Sequence, residues 1–134
     1  MPSETAWYVE NKVLFNRMYG AITNEDLTQN SDVLNNHILE HPEQLILIVD
    51  MLDVTEFPFN FKTMLAQIGA YQVHKHVAWV LVIADNRLVN FFGTLVSKVT
   101  SLSLRSFNSM DEVYAFINHN VPDLVAQLPP LEPA

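Results

Sequence analysis

The sequence predicts a small α/β domain: a mixed sheet, parallel in its later part, with helices mainly on one face. Two aliphatic runs carry most of that expectation. Leu45–Asp50 (LILIVD) and Val77–Ala84 (VAWVLVIA) lack the polar alternation of a half-buried strand. They read as strands covered on both faces, as at the centre of a parallel sheet. Around them, segments with apolar residues at three- and four-residue spacing read as helices, and a β-branched, aromatic segment near the start reads as a hairpin. The resulting order is β-β-α-β-α-β-α-β-α, which requires right-handed crossovers between the later strands.

The hairpin comes first. Trp7–Val9 is short and apolar, Glu10-Asn11-Lys12 is a polar turn, and Val13–Tyr19 resumes as a strand. Alternation puts Val13, Phe15, Arg17 and Tyr19 on one face of that strand and Leu14, Asn16 and Met18 on the other. Gly20 permits a bend or a bulge. Thr23-Asn24-Glu25-Asp26 has the form of a capping box, and the helix it starts carries a stripe of Leu27, Ser31, Leu34 and Ile38. Pro42 ends that helix.

After the strand Leu45–Asp50 the chain reads as an acidic turn, and Asn60 then caps a second helix with Phe61, Met64, Leu65, Ile68 and Tyr71 as its stripe. His74-Lys75-His76 is a polar connection into Val77–Ala84. Asp85 or Asn86 caps a third helix, striped by Leu88, Phe91, Phe92, Leu95, Val96 and Val99, and Ser103–Phe107 is a short final strand. Ser109-Met110-Asp111-Glu112 is a capping box with Glu at its third helical position, and Val113, Phe116 and Ile117 are the buried face of the helix it opens. Pro122 suits the first position of a further short helical turn. One domain spans residues 1–128, with 129–134 a disordered proline-rich tail.

Composition excludes several classes of function. Seven Lys and Arg stand against fifteen Asp and Glu, a net charge of −8, so phosphate backbones and anionic lipid headgroups are repelled: no nucleic acid and no membrane is expected as a partner. Three glycines (Gly20, Gly69, Gly93) are too few and too scattered for a phosphate-cradling loop. The absence of cysteine excludes disulfides and a cysteine zinc site. No secretory leader precedes Trp7 and no apolar run approaches the roughly twenty residues of a bilayer span, so a soluble cytoplasmic protein is expected.

Candidate chemistry is sparse. Asp50, Asp53 and Glu56 cluster after the buried strand, where a general base or a Mg²⁺ or Ca²⁺ site is one reading and solvated capping residues the favoured one. Asp50 in particular suits a local role, accepting amide hydrogen bonds. The pairs His74/His76 and His37/His41 lack a third ligand at a readable spacing, so no metal and no cofactor is expected. No serine sits in a nucleophile-elbow context, and no catalytic residue is assigned. The remaining feature is aromatic. Phe57, Phe59 and Phe61 bracket Pro58 where the second helix begins, and they group with Trp79 of the second buried strand and with Phe91 and Phe92, which follow it. They read either as core or as a docking patch or apolar pocket at the strand carboxyl ends, with Phe57 and Phe59 the hardest to assign to core.

The order of elements, together with Gly20-Ala21-Ile22-Thr23 after the hairpin, the buried strand closing in Asp50, and Phe107 followed by Ser109-Met110-Asp111-Glu112, resembles the STAS domain (sulfate transporter and anti-sigma factor antagonist), and more closely the SpoIIAA-like proteins. The resemblance covers roughly Trp7 to Leu124 and rests on structural marks rather than a catalytic motif. It implies a regulatory, partner-binding module. Antagonists of that family carry a phosphorylated serine or threonine at the start of the second helix; the matching segment here, Phe57-Pro58-Phe59-Asn60-Phe61, has no hydroxyl, and Thr55 stands too early.

The expectation is therefore a non-enzymatic module of STAS type that is not phospho-switched. It would dock a protein partner through Phe57, Phe59, Asn60, Phe61, Asn86 and Phe91, and a homodimer would form through the hairpin edge or an apolar helix face. The alternatives are a carrier of a small apolar ligand or lipid, and an enzyme using Asp50 or Asp53.

Overall fold

A computed structural model of the chain describes residues 3–10, 12–39, 45–58, 62, 77–98 and 104–128. The described elements are β1 (Ser3–Val9), β2 (Val13–Ala21), α1 (Asn24–Leu39), β3 (Leu45–Glu56), β4 (Val77–Ile83), α2 (Asn86–Lys98), β5 (Leu104–Phe107), α3 (Met110–Asn120) and α4 (Pro122–Val125). The helix expected from Asn60 to Tyr71, the His74/His76 pair, His41 and residues 129–134 lie outside the described residues, Lys62 apart.

The strands form one five-stranded sheet in the order β1-β2-β3-β4-β5. β1 is antiparallel to β2, and every later pairing is parallel, so the sheet is mixed as expected. Parallel strands laid down in sequence order step across the sheet in one direction, and right-handed crossovers then put their helices on a common face. Accordingly Leu27 and Leu34 of α1 and Leu88, Phe91 and Phe92 of α2 pack in one core with Leu14, Leu45, Leu47, Val80, Val82 and Leu104.

The opposite face is also covered, by the two shorter helices α3 and α4. Val113 and Ile117 of α3, with Leu124 of α4 and Leu128, bury Val9, Val13, Ile46, Ile48, Leu81 and Ile83. Among the described residues no strand follows β5, and α3 folds back beneath the sheet rather than crossing over to a further strand. The two runs lack polar alternation because β3 and β4 face both cores: Leu45 and Leu47 point one way, Ile46 and Ile48 the other.

β3 departs most from expectation. It runs to Glu56, six residues past Asp50, and what reads as an acidic turn is strand paired with β2. Arg17 pairs with Asp50 but Tyr19 with Asp53, and Gly20 pairs with Val54 but Ala21 with Glu56. Each step inserts one extra β3 residue, so β3 carries two bulges. The inward period of two (Leu45, Leu47, Val49, Met51) therefore lengthens to three, and Met51, Val54 and Phe57 all join the first core. Gly20, at φ +76°, supplies the left-handed residue beside the second bulge.

The helix starts agree with their capping signals, with one difference of reach. Thr23 Oγ1 accepts from the Asp26 amide at 3.1 Å, and Asp26 Oδ2 accepts from the Thr23 amide at 3.0 Å. Ser109 Oγ accepts from the Glu112 amide at 3.3 Å, but the longer Glu112 side chain reaches one residue further back, to the Asn108 amide at 2.9 Å. Asp85, rather than Asn86, caps α2, accepting from the Leu88 amide at 3.0 Å.

Candidate functional site

The carboxyl ends of the parallel strands are where α/β folds usually bind ligands. Among the described residues, aromatic packing takes up part of that edge. Phe57 and Phe91 are each 8% exposed, and Phe57 meets Phe91 edge-on (ring centroids 6.0 Å) and Phe92 at 6.2 Å. Both rings belong to the core, which resolves the alternative in favour of packing for these two members of the aromatic set. Phe59, Asn60 and Phe61 lie outside the described residues. Asn86 is exposed, and its Oδ1 accepts from Asn108 Nδ2 at 3.0 Å, while the same Nδ2 also donates to the Ala84 carbonyl at 3.2 Å. Asn108 thus ties β4 to the starts of α2 and α3. Its place directly after a strand and before a cap was its one visible signal.

The acidic residues do not converge. Asp53 forms an ion pair with Arg17, whose guanidinium also lies 4.9 Å from the centroid of the Tyr19 ring. The hydrogen bond to Asp53 raises the Arg17 pKa above its ordinary value. Asp50 Oδ1 accepts the Leu52 amide at 3.0 Å, the local role expected of it, in a bulge instead of a turn. Among the described residues, no three His, Asp or Glu side chains are grouped to hold a metal ion. Leu52, between these acids, is 48% exposed.

A concave site lies at the other end of the sheet. The amino ends of β3 (Leu45, Ile46) and β4 (Ala78, Trp79), the turn residue Lys12, and Val121, Asp123, Leu124 and Gln127 around α4 enclose a cleft of about 390 Å³. Its floor is shaped by another irregularity. Leu45 pairs with Val77 but Ile46 with Trp79, leaving Ala78 as an extra residue in β4. Bulges of this kind re-aim the neighbouring side chain. Trp79 is held from two sides, edge-on to Phe116 (5.2 Å between centroids) and beneath the Arg105 guanidinium (5.1 Å).

The remaining wall depends on the α3–α4 junction. Pro122 at the first helical position has no amide to offer, and Val121 precedes it outside the helical region, at φ −140° and ψ 70°. Val121 is left 40% exposed at the lip, an apolar side chain without cover beside an apolar hollow. The rim is polar: Lys12 Nζ donates to Gln127 Oε1 across a long 3.5 Å, and Asp123 stands in the first turn of α4. No sequence motif marks this site, because its residues come from four separated parts of the chain.

No family model, no curated protein and no solved structure matches this chain. No helix of the described residues is long and apolar enough to cross a membrane.

Proposed function

We propose that this chain is a non-enzymatic, STAS-like module that works by binding, and that the cleft at the amino ends of β3 and β4 takes a small apolar molecule. The cleft itself carries the reading: Leu45, Ile46, Trp79, Val121 and Leu124 offer an apolar lining, and a ligand seated there would cover the uncovered Val121. The element order along the described chain, with its hairpin followed by parallel strands, supports the STAS-like part.

Trp79 supplies the test. In a Trp7→Phe background it is the remaining tryptophan, and 1-octanol, a neutral apolar probe, is expected to change its emission saturably. Val121→Glu, which places a charge on the lip at an already exposed position, is expected to abolish that response with little change in unfolding temperature. A non-saturable response, or the same affinity in Val121→Glu, overturns the reading.

Exposed Leu52 favours a second reading, a protein-docking surface on the carboxyl half of β3, which Phe59, Asn60 and Phe61 follow in the sequence. It predicts self-association in sedimentation experiments that Leu52→Glu or Phe59→Glu abolishes at nearly unchanged thermal stability.

A further inference from the structure

We infer that the cleft selects a monocarboxylate, a small apolar body ended by one carboxylate group, and that Lys12 is the residue that recognises the head; this rests on the apolar-ligand reading of the same cleft. Among the described residues that line the cleft, Lys12 is the one base. The ion pairs seen among the described residues are Arg17–Asp53 and Arg87–Asp85. Lys12 has neither; the contact its ammonium makes there is the long one to the neutral Gln127 oxygen. Its methylene stem can lie along the apolar wall while the ammonium stays at the mouth, which is how lysine side chains divide between apolar surface and water. The Lys12 amide donates to the Val9 carbonyl at 2.9 Å and the Lys12 carbonyl accepts from Ile46 at 2.9 Å, so the base of the side chain is anchored to the cleft floor.

The rim also restricts which anion fits. A single ammonium is a point charge suited to one head group, whereas phosphate recognition gains from several donors or a guanidinium fork. Asp123 shares the lining, leaving the rim with one positive and one negative side chain. A singly charged carboxylate tolerates that arrangement, with its charge at Lys12 and Gln127 beside it as a neutral donor. A phosphate dianion meets the Asp123 carboxylate with twice the repulsion. The volume, about 390 Å³, is at the lower end of the range of small-molecule sites (roughly 300–1,000 Å³), and so fits one short chain or ring rather than a two-chain lipid.

Two probes of equal chain length, octanoate and 1-octanol, test this in the Trp7→Phe protein through Trp79 emission. Octanoate is expected to bind about fivefold more tightly than the alcohol, the upper worth of an ion pair at an exposed lysine. Lys12→Gln should bring octanoate down to the level of the alcohol and leave the alcohol unchanged; Lys12→Arg should keep most of the preference, and Asp123→Asn should increase it. Equal binding of the two probes by the Trp7→Phe protein overturns the carboxylate inference and leaves the apolar-ligand reading standing. Binding of neither removes that reading as well. A preference for octanoate that survives in Lys12→Gln removes Lys12 from the role.

Discussion

Asn16 and Asn30 are the polar side chains buried among the described residues, 0% and 5% exposed, and they satisfy each other. Asn16 Nδ2 donates to Asn30 Oδ1 at 3.0 Å and Asn30 Nδ2 returns to Asn16 Oδ1 at 3.0 Å, a cyclic pair between β2 and α1. Asn16 Nδ2 also reaches Thr5 Oγ1 at 3.1 Å and the Glu4 carbonyl at 3.3 Å, and Thr5 is its partner opposite in the hairpin. The network therefore registers β1 on β2 and α1 on both. Removing one member leaves the other's oxygen in a dry core without a donor, a cost of about 1–3 kcal/mol; removing both leaves no orphan. Asn30→Leu is accordingly expected to lower stability in urea unfolding by that amount, and Asn16→Leu/Asn30→Leu by clearly less than the two single changes summed. Additive costs would show that the pair is not coupled. The alternation of β2 placed Asn16 correctly on the face of Leu14 and Met18, yet a helix stripe read for apolar residues chose Ser31 and passed over Asn30.

At the scale of the element, the two bulges of β3 do more than bend a strand. They change its inward period from two to three and so bring Val54 and Phe57 into the core after Met51. Gly20 sits opposite Val54 in that stretch at φ +76°, a conformation costly for any residue with a β-carbon, although the space around it is open. Gly93 is the contrasting case. It lies exposed in the interior of α2 with nothing near its absent β-carbon. Gly20→Ala is expected to destabilise by about 1 kcal/mol or more from backbone strain alone, and Gly93→Ala to stabilise by roughly 0.5–1 kcal/mol through helix propensity. Denaturant midpoints at unchanged slope would verify both signs. The capping residues Thr23, Asp85 and Ser109 were legible beforehand because a cap depends on three or four consecutive residues. The bulges were not, because a bulge exists only relative to a partner strand.

For the molecule as a whole, the one-way strand order leaves the second face of the sheet to whatever follows β5. α3 and α4 take that position, with Leu124 and Leu128 completing the second core and Asp123, Leu124 and Gln127 forming one side of the cleft. A chain ending at Asn120 loses both leucines, each worth about 1.5–3 kcal/mol on full burial. It is expected to unfold at clearly lower denaturant with a smaller slope, and to lose the Trp79 response to octanoate. Unchanged stability would show that the C-terminal segment does not contribute to the core.

Local chemistry and periodicity were enough for the sequence to determine the elements: doubly covered β3 and β4, the hairpin with its alternating faces, and the helix starts with their caps. Each of those depends on residues close together in the chain. Only the tertiary structure decided that the Met51–Glu56 segment is strand, that Phe57 and Phe91 are core, that helices cover both faces, and that Lys12, Leu45, Trp79 and Val121 share a cleft. Those outcomes turn on which strand pairs with which, and on which face of the sheet each helix packs, and neither is encoded in any single window of residues.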